Sequence, residues 1–442
     1  MKKLLVILAV LAFVVSGMSF ATDSRIAGLG IPVWMTLDDD AIVFSYVGQL
    51  NNYKNLALLE LTAASTGFGG ATLDLSGSAL GIYAGKNIVS NVFADINNAI
   101  LTTWAGLKST AVIGTASYTL NNTIGTPDNQ LLAIYGLGLE GMNIGIGLGY
   151  SASSMSQAEK TTYLAKDEIS GSQSQIDVLL GVSLKGDVGI DAGISIGLPS
   201  STNKVMDQRW DGSASKKDNE DTVEASGMNL DIGARAVMSD LIANLGFGMS
   251  SAKLTATFKK DGNNDEDWED AANDTKVESS GENSSMNVDL GVAKLTKVNN
   301  VNITTGLTLG YSNSTTKEDI YKDKLDSIND LKGTESSSSG INVGVNVAAE
   351  AKLNDTWSAR VGAQKGIFGT SSTTSKDLDN LTESTSSSDT TSAPVISMGA
   401  SCVVGNLTID GVISQALLFD GPYFIGGTAT GMASQISAKY NW

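Results

Sequence analysis

This chain of 442 residues has no histidine, a single cysteine at Cys402 and only five prolines. Without histidine there is no Ser-His-Asp triad, no imidazole metal ligand and no side chain that titrates near neutrality of its own accord. One cysteine excludes an intrachain disulfide framework. Basic residues are few as well: 29 Lys and Arg stand against 47 Asp and Glu, a formal net charge of −18. That balance argues against nucleic acid as a partner, since phosphate recognition needs clustered cations. Beyond residue 15 no apolar run approaches the roughly 20 residues that a membrane helix requires.

What the chain does have begins at its N-terminus. Lys2 and Lys3 precede the uncharged run Leu4 to Val15, and Ser19-Phe20-Ala21 supplies small residues where a signal peptidase reads. This is the layout of a secretory signal over residues 1–21, too short to anchor in a bilayer. Its removal takes away two lysines and no acid, so the charge becomes −20.

Further along, apolar and small polar residues alternate. Ile144, Ile146, Leu148 and Tyr150 share one face, and Gly145, Gly147 and Gly149 the other. The same holds for Val188 to Leu198, Met228 to Arg235, Val301 to Gly310 and Ile341 to Ala348. Period two is the signature of strands. The segments are long, and connections alternate between short and long. Short ones are Glu140-Gly141, Lys185-Gly186, Ser239-Asp240, Val298 to Asn300, Asn354-Asp355 and Gly405-Asn406. Long ones are Met155 to Ser172, Ser200 to Val223, Lys259 to Gly281, Thr316 to Ser337 and Thr370 to Ser392. Short turns on one side and long loops on the other mark an all-β fold, a transmembrane antiparallel up-and-down β-barrel. Counting back from Trp442 gives fourteen strands with Ser109 to Leu120 and Gln130 to Leu139. A hairpin from Asn55 to Ala63 and Thr72 to Ala84 makes sixteen. The expected domains are thus a plug-like segment over 22–108, with room for that hairpin, and a barrel over 109–442.

The last strand carries Ile436, Ala438, Tyr440 and Trp442 on one face. It resembles the C-terminal signal that the barrel-assembly machinery reads in outer-membrane proteins. The expected location is the outer membrane of a two-membrane bacterial envelope, in contact with its lipid and lipopolysaccharide. Aromatic residues sit at strand ends, with Tyr150, Tyr311, Phe258 and Phe368 outward and Trp357, Tyr440 and Trp442 at the short turns, as interfacial girdles require.

Between Asn87 and Leu107, Ile88, Val92, Ile96, Ile100 and Trp104 recur every four residues, which predicts an amphipathic helix. Upstream, Ser24-Arg25-Ile26-Ala27-Gly28-Leu29-Gly30 is followed by Asp38-Asp39-Asp40-Ala41-Ile42-Val43-Phe44. This stretch, about residues 24–60, resembles the opening of the long-chain fatty-acid transporter family, although Ser45-Tyr46-Val47 stands where that family has Asn-Pro-Ala. The resemblance implies a fourteen-stranded barrel with an N-terminal hatch and hydrophobic cargo.

Alternation places Asp177, Asp191, Asp231, Asp289, Glu350 and Asp410 on the inward face, with Arg235, Arg360, Lys352 and Lys439. Such groups set up a field across a water-filled pore or cross-link its wall. Cys402 falls on the lipid side. The acidic loop Lys259 to Gly281 lacks the spacing of an EF-hand. No catalytic, cofactor or metal site emerges. The expectation is a non-enzymatic channel or transporter for small molecules; the alternatives are a scaffold displaying its loops and uptake of hydrophobic substrates.

Overall fold

A computed structural model describes residues 24–37, 39–62, 67–86, 130–161, 165–210, 215–260, 275–323, 333–377, 381–413 and 433–442. Its strands form one closed antiparallel sheet. A low arc opens the chain with β1 (Leu56–Thr62), β2 (Gly67–Asp74), β3 (Ser78–Ala84) and β4 (Leu131–Leu139). Then come the long strands β5 (Met142–Thr161), β6 (Ala165–Leu184), β7 (Gly189–Trp210), β8 (Ser215–Met238) and β9 (Leu241–Lys260). These continue as β10 (Thr275–Val298), β11 (Val301–Asp323), β12 (Thr334–Lys352) and β13 (Trp357–Asp377). The circuit ends with β14 (Thr382–Asp389), β15 (Val395–Val404), β16 (Leu407–Ile413) and β17 (Ala433–Asn441).

Both β14 and β15 pair with β13, one above the other, so seventeen strands make a barrel of sixteen staves. Closure is the pairing of β1 with β17, from Leu56 opposite Asn441 to Thr62 opposite Gln435. The N–H of Trp442 donates to the carbonyl of Asn55 and finishes the seam.

Two-residue turns at Glu140-Gly141, Ser239-Asp240, Asn299-Asn300 and Gly405-Asn406 join strands on the side of Asn55 and Trp442. Gly141, Ser239, Asn299 and Gly405 each take positive φ there. A positive φ at the first turn residue, as at Ser239, Asn299 and Gly405, is the backbone of a primed hairpin turn, whose twist matches the strands it connects; at Glu140-Gly141 it falls on the second residue, a glycine.

Two sequence expectations change, and two others lie outside the described residues. The N-terminal part of the barrel is three strands, not one hairpin, because Leu75 to Gly77 break Thr72 to Ala84 into a turn. Ser109 to Leu120 lies outside the described residues, and β3 pairs directly with β4. The expected helix 87–107 also lies outside them. Finally, the long outer loops are largely strand. β5 runs to Thr161 and β6 starts at Ala165; β12 and β13 continue in register through Ser336–Ser375 and Thr334–Asp377. Ser and Thr read as loop by composition, yet paired hydroxyls and ladder hydrogen bonds hold them extended in water.

The outer face shows why the barrel belongs in a bilayer. On β5, β6 and β7 the outward rows are Met142–Leu184–Ile190, Ile144–Val182–Ala192, Ile146–Leu180–Ile194, Leu148–Val178–Ile196 and Tyr150–Ile176–Leu198. Leu148 is 58 % exposed and Tyr150 54 %. The next row is Ala152–Ser174–Ser200, and apolar residues stop. The eight residue steps from Met142 to Tyr150, at about 3.3 Å each and tilted by about 40°, span roughly 20 Å, close to the apolar band of such barrels. An exposed apolar surface running through so many staves is stable only against lipid.

Candidate transport lumen

Inside the barrel the small residues of the alternating pattern leave room, and the N-terminal segment fills it. Residues 24–54 form the helix α1 (Ser24–Leu29) and three 3-10 turns, Val33–Met35, Asp40–Phe44 and Val47–Asn52. The Asp39 carboxylate caps the second turn by accepting from the N–H of Ala41 at 3.0 Å. The plug lies directly on glycine. A Cβ on Gly362 would stand 1.6 Å from the carbonyl oxygen of Leu29, and one on Gly145 would stand 2.2 Å from that of Val47. No other residue lets wall and plug backbone meet so closely.

One side of this contact is apolar. Val43, Phe44, Val47 and Leu50 of the plug pack on Leu58, Phe68, Tyr83, Leu132, Ile134 and Leu179 of the wall. Across the lumen, Leu29, Ile31 and Met35 meet Ile242, Ala293 and Ala348, with Trp34 beside them.

The remaining contacts are ionic. Arg25 forks onto Glu350, its Nε donating to Oε1 at 3.1 Å and its Nη2 to Oε2 at 2.7 Å. Its Nη1 donates to Asp39 at 2.8 Å. Glu350 also lies 3.4 Å from Arg360, whose Nη2 donates to Asp410 at 2.6 Å and to Ser401. Ser401 in turn donates to Asp410 at 2.7 Å. Lys439 of the last strand donates to Asp40 of the plug at 3.0 Å. On the opposite wall Arg235 donates to Asp191 at 2.8 Å and to the carbonyl oxygen of Thr36 at 2.7 Å. The Arg235 guanidinium lies 5.7 Å from the centre of the Tyr46 ring, whose hydroxyl donates to Asn244 at 3.0 Å. Gln49 donates to Asp191 and Ser183.

The inward-facing candidates therefore divide. Asp191, Arg235 and Glu350 meet plug atoms directly, and Arg360 and Asp410 brace Glu350 from behind. Asp177 is buried in the wall, where Gln130 and Gln175 donate to its two oxygens. Asp231 and Asp289 are exposed to the lumen outward of Arg235, and Asn287 donates to Asp289 at 3.1 Å. Lys352 is exposed and pairs with Asp355 at the short turn. On the outer face of β17, Ile436, Ala438 and Tyr440 lie opposite Leu61, Leu59 and Ala57 of β1. Tyr440 stacks on Trp442 with centroids 6.5 Å apart. Cys402 is half-buried.

Burial acts on one of the plug's acids. Asp39 is pushed up to about 6, first by loss of water and then by its neighbour Asp40, while Arg25 pulls it back. Composition did not reveal Arg25, Asp39, Asp40, Tyr46 and Gln49 as anchors. The available signal was indirect: an inner face built of glycine cannot fill its own barrel, so another segment has to.

The fold and this lumen define a class, a membrane-spanning β-barrel with an internal N-terminal plug. No protein-family model matches the chain, and no curated protein matches it by sequence. Among solved structures it is similar to the toluene transporter TbuX of Ralstonia pickettii, at 10 % identity over 96 % of this chain and 99 % of that one, with a TM-score of 0.37. The translocator domain of the autotransporter NalP from Neisseria meningitidis matches at 14 % identity over 80 % and 100 %, TM-score 0.28. The siderophore receptor PiuA from Acinetobacter baumannii matches at 8 % over 65 % and 47 %, TM-score 0.35. At these scores none of them bears on what this chain does.

Proposed function

We propose that the chain is a non-enzymatic transporter of the bacterial outer membrane, closed at rest by its plug and passing small polar solutes when the plug shifts. The observation that carries this reading is the way the plug is held. Ion pairs and close backbone contacts seat it, with no covalent tie among the described residues except the chain running on into β1, and solvated carboxylates and amides line the wall outward of it. Such a seat holds the plug in place, yet a desolvated ion pair gains little over the hydration of its separated partners. Asp231, Asp289 and Asn287 favour hydrophilic or cationic solutes over the hydrophobic cargo that the fatty-acid transporter resemblance implies.

Conductance of the purified, refolded barrel in planar bilayers tests it. Wild-type protein should conduct weakly. Arg25→Ala combined with Arg235→Ala, and separately deletion of residues 24–54, should raise conductance severalfold. If all three stay silent, the transport reading fails.

A second reading has an observation of its own. Hydroxyl pairs such as Ser250–Ser285 at 2.6 Å and Ser371–Ser388 at 2.9 Å stiffen hairpins that rise beyond the apolar belt. A barrel anchoring a surface scaffold would be built this way. Shortening those hairpins would abolish surface binding and spare conductance.

A further inference from the structure

Three aromatic rings meet where plug and wall join. Phe44, from the plug, contacts Phe68 of β2 edge to face at 5.1 Å and Tyr83 of β3 at 5.1 Å. Phe68 and Tyr83 are 5.9 Å apart. The Lys86 ammonium, just past the outer end of β3, sits over two of these rings, 5.1 Å from the centre of Phe44 and 5.3 Å from that of Phe68. Glu60 is directly opposite Phe68 in the β1–β2 ladder and fully buried, and Asp40 of the plug is also buried nearby.

Rings crossed at steep angles with an ammonium over their faces make the arrangement by which proteins recognise organic cations. Here the cation is the chain's own. We propose that the faces of these rings are a binding seat for the ammonium group of a small organic amine, and that Lys86 occupies it until an amine from outside takes its place. Three features support this reading. The rings come from both plug and wall, so the seat exists only while the plug is docked. Buried carboxylates stand beside it, which favours a cation over a neutral guest. Asp231 and Asp289 further out on the wall give a lumen field that draws cations inward. An amine displacing Lys86 also loosens the contact between the plug's Phe44 and the outer end of β3. This names a solute class for the transport reading and rests on that reading for the amine's passage, though not for its binding.

The test is calorimetric titration of the purified full-length barrel with n-butylammonium chloride, which mimics the lysine terminus. Lys86→Gln should bind about tenfold more tightly than wild type, because the internal competitor is gone. Adding Phe44→Leu to Lys86→Gln should remove that gain; Phe44 lies in the plug, so the barrel wall is untouched, and circular dichroism verifies its fold. Equal affinity of Lys86→Gln and wild type would overturn the proposal, as would a gain that survives Phe44→Leu. Binding without conductance would support the seat while sinking transport; conductance without binding would do the reverse.

Discussion

At the scale of single residues, the lumen is governed by where charge is stripped of water. Arg360 is almost completely buried, as are Asp191 and Arg235, and each is held against an opposite charge. Alternation put these groups on one face of their strands, since inward positions recur every second residue. It could not name their partners on the plug, because irregular backbone has no period to read. Asp39 shows the consequence of such burial most directly. Its pKa of about 6 lies above the ordinary value of 3.8, so the docked plug holds a proton more tightly than the released one. Docking strength from this group is complete below about pH 4 and is lost as pH rises through 6. The difference is on the order of 2–3 kcal/mol. Arg25, Asp40, Glu350 and Lys439 surround it. Limited proteolysis of the plug should accelerate between pH 5 and 7.5, and Asp39→Asn should flatten that profile; an unchanged profile would contradict the assignment.

At the scale of strands, the outer surface works by rows. The middle row of the belt contains Ile146, Leu180 and Ile194, two rows from either edge. Ile194→Arg should therefore destabilise the barrel by about 2–4 kcal/mol in lipid vesicles, measured by urea unfolding. Ser200→Arg, one row beyond the belt, should cost less than 1 kcal/mol. The belt was legible because period two in apolar residues has few explanations. The tall hairpins were not, since Ser-Thr tracts such as Ser336 to Ser339 and Ser384 to Thr385 carry no hydrophobic alternation. Only their pairing reveals them as strands.

At the scale of the molecule, turn parity places every hairpin. In a Cys402→Ser background, a cysteine at Thr385 should react on intact cells with a membrane-impermeant maleimide. A cysteine at Asp355, in a short turn, should react only after the outer membrane is opened. The reverse pattern would invert the topology. Parity was legible from short turns alone. A plug-like N-terminal segment was expected over residues 22–108, but its seat was not legible, because that depends on contacts between residues 24–54 and strands hundreds of positions later.

The seam between β1 and β17 has a bearing on how the molecule comes into being. Asn55 receives its hydrogen bond from Trp442, and Asp40 meets Lys439, so residues near the start of the described chain wait for the final strand. The last strand thus completes two things at once: a chain without it lacks both the bond that Asn55 accepts at the seam and the ammonium that Asp40 of the plug meets.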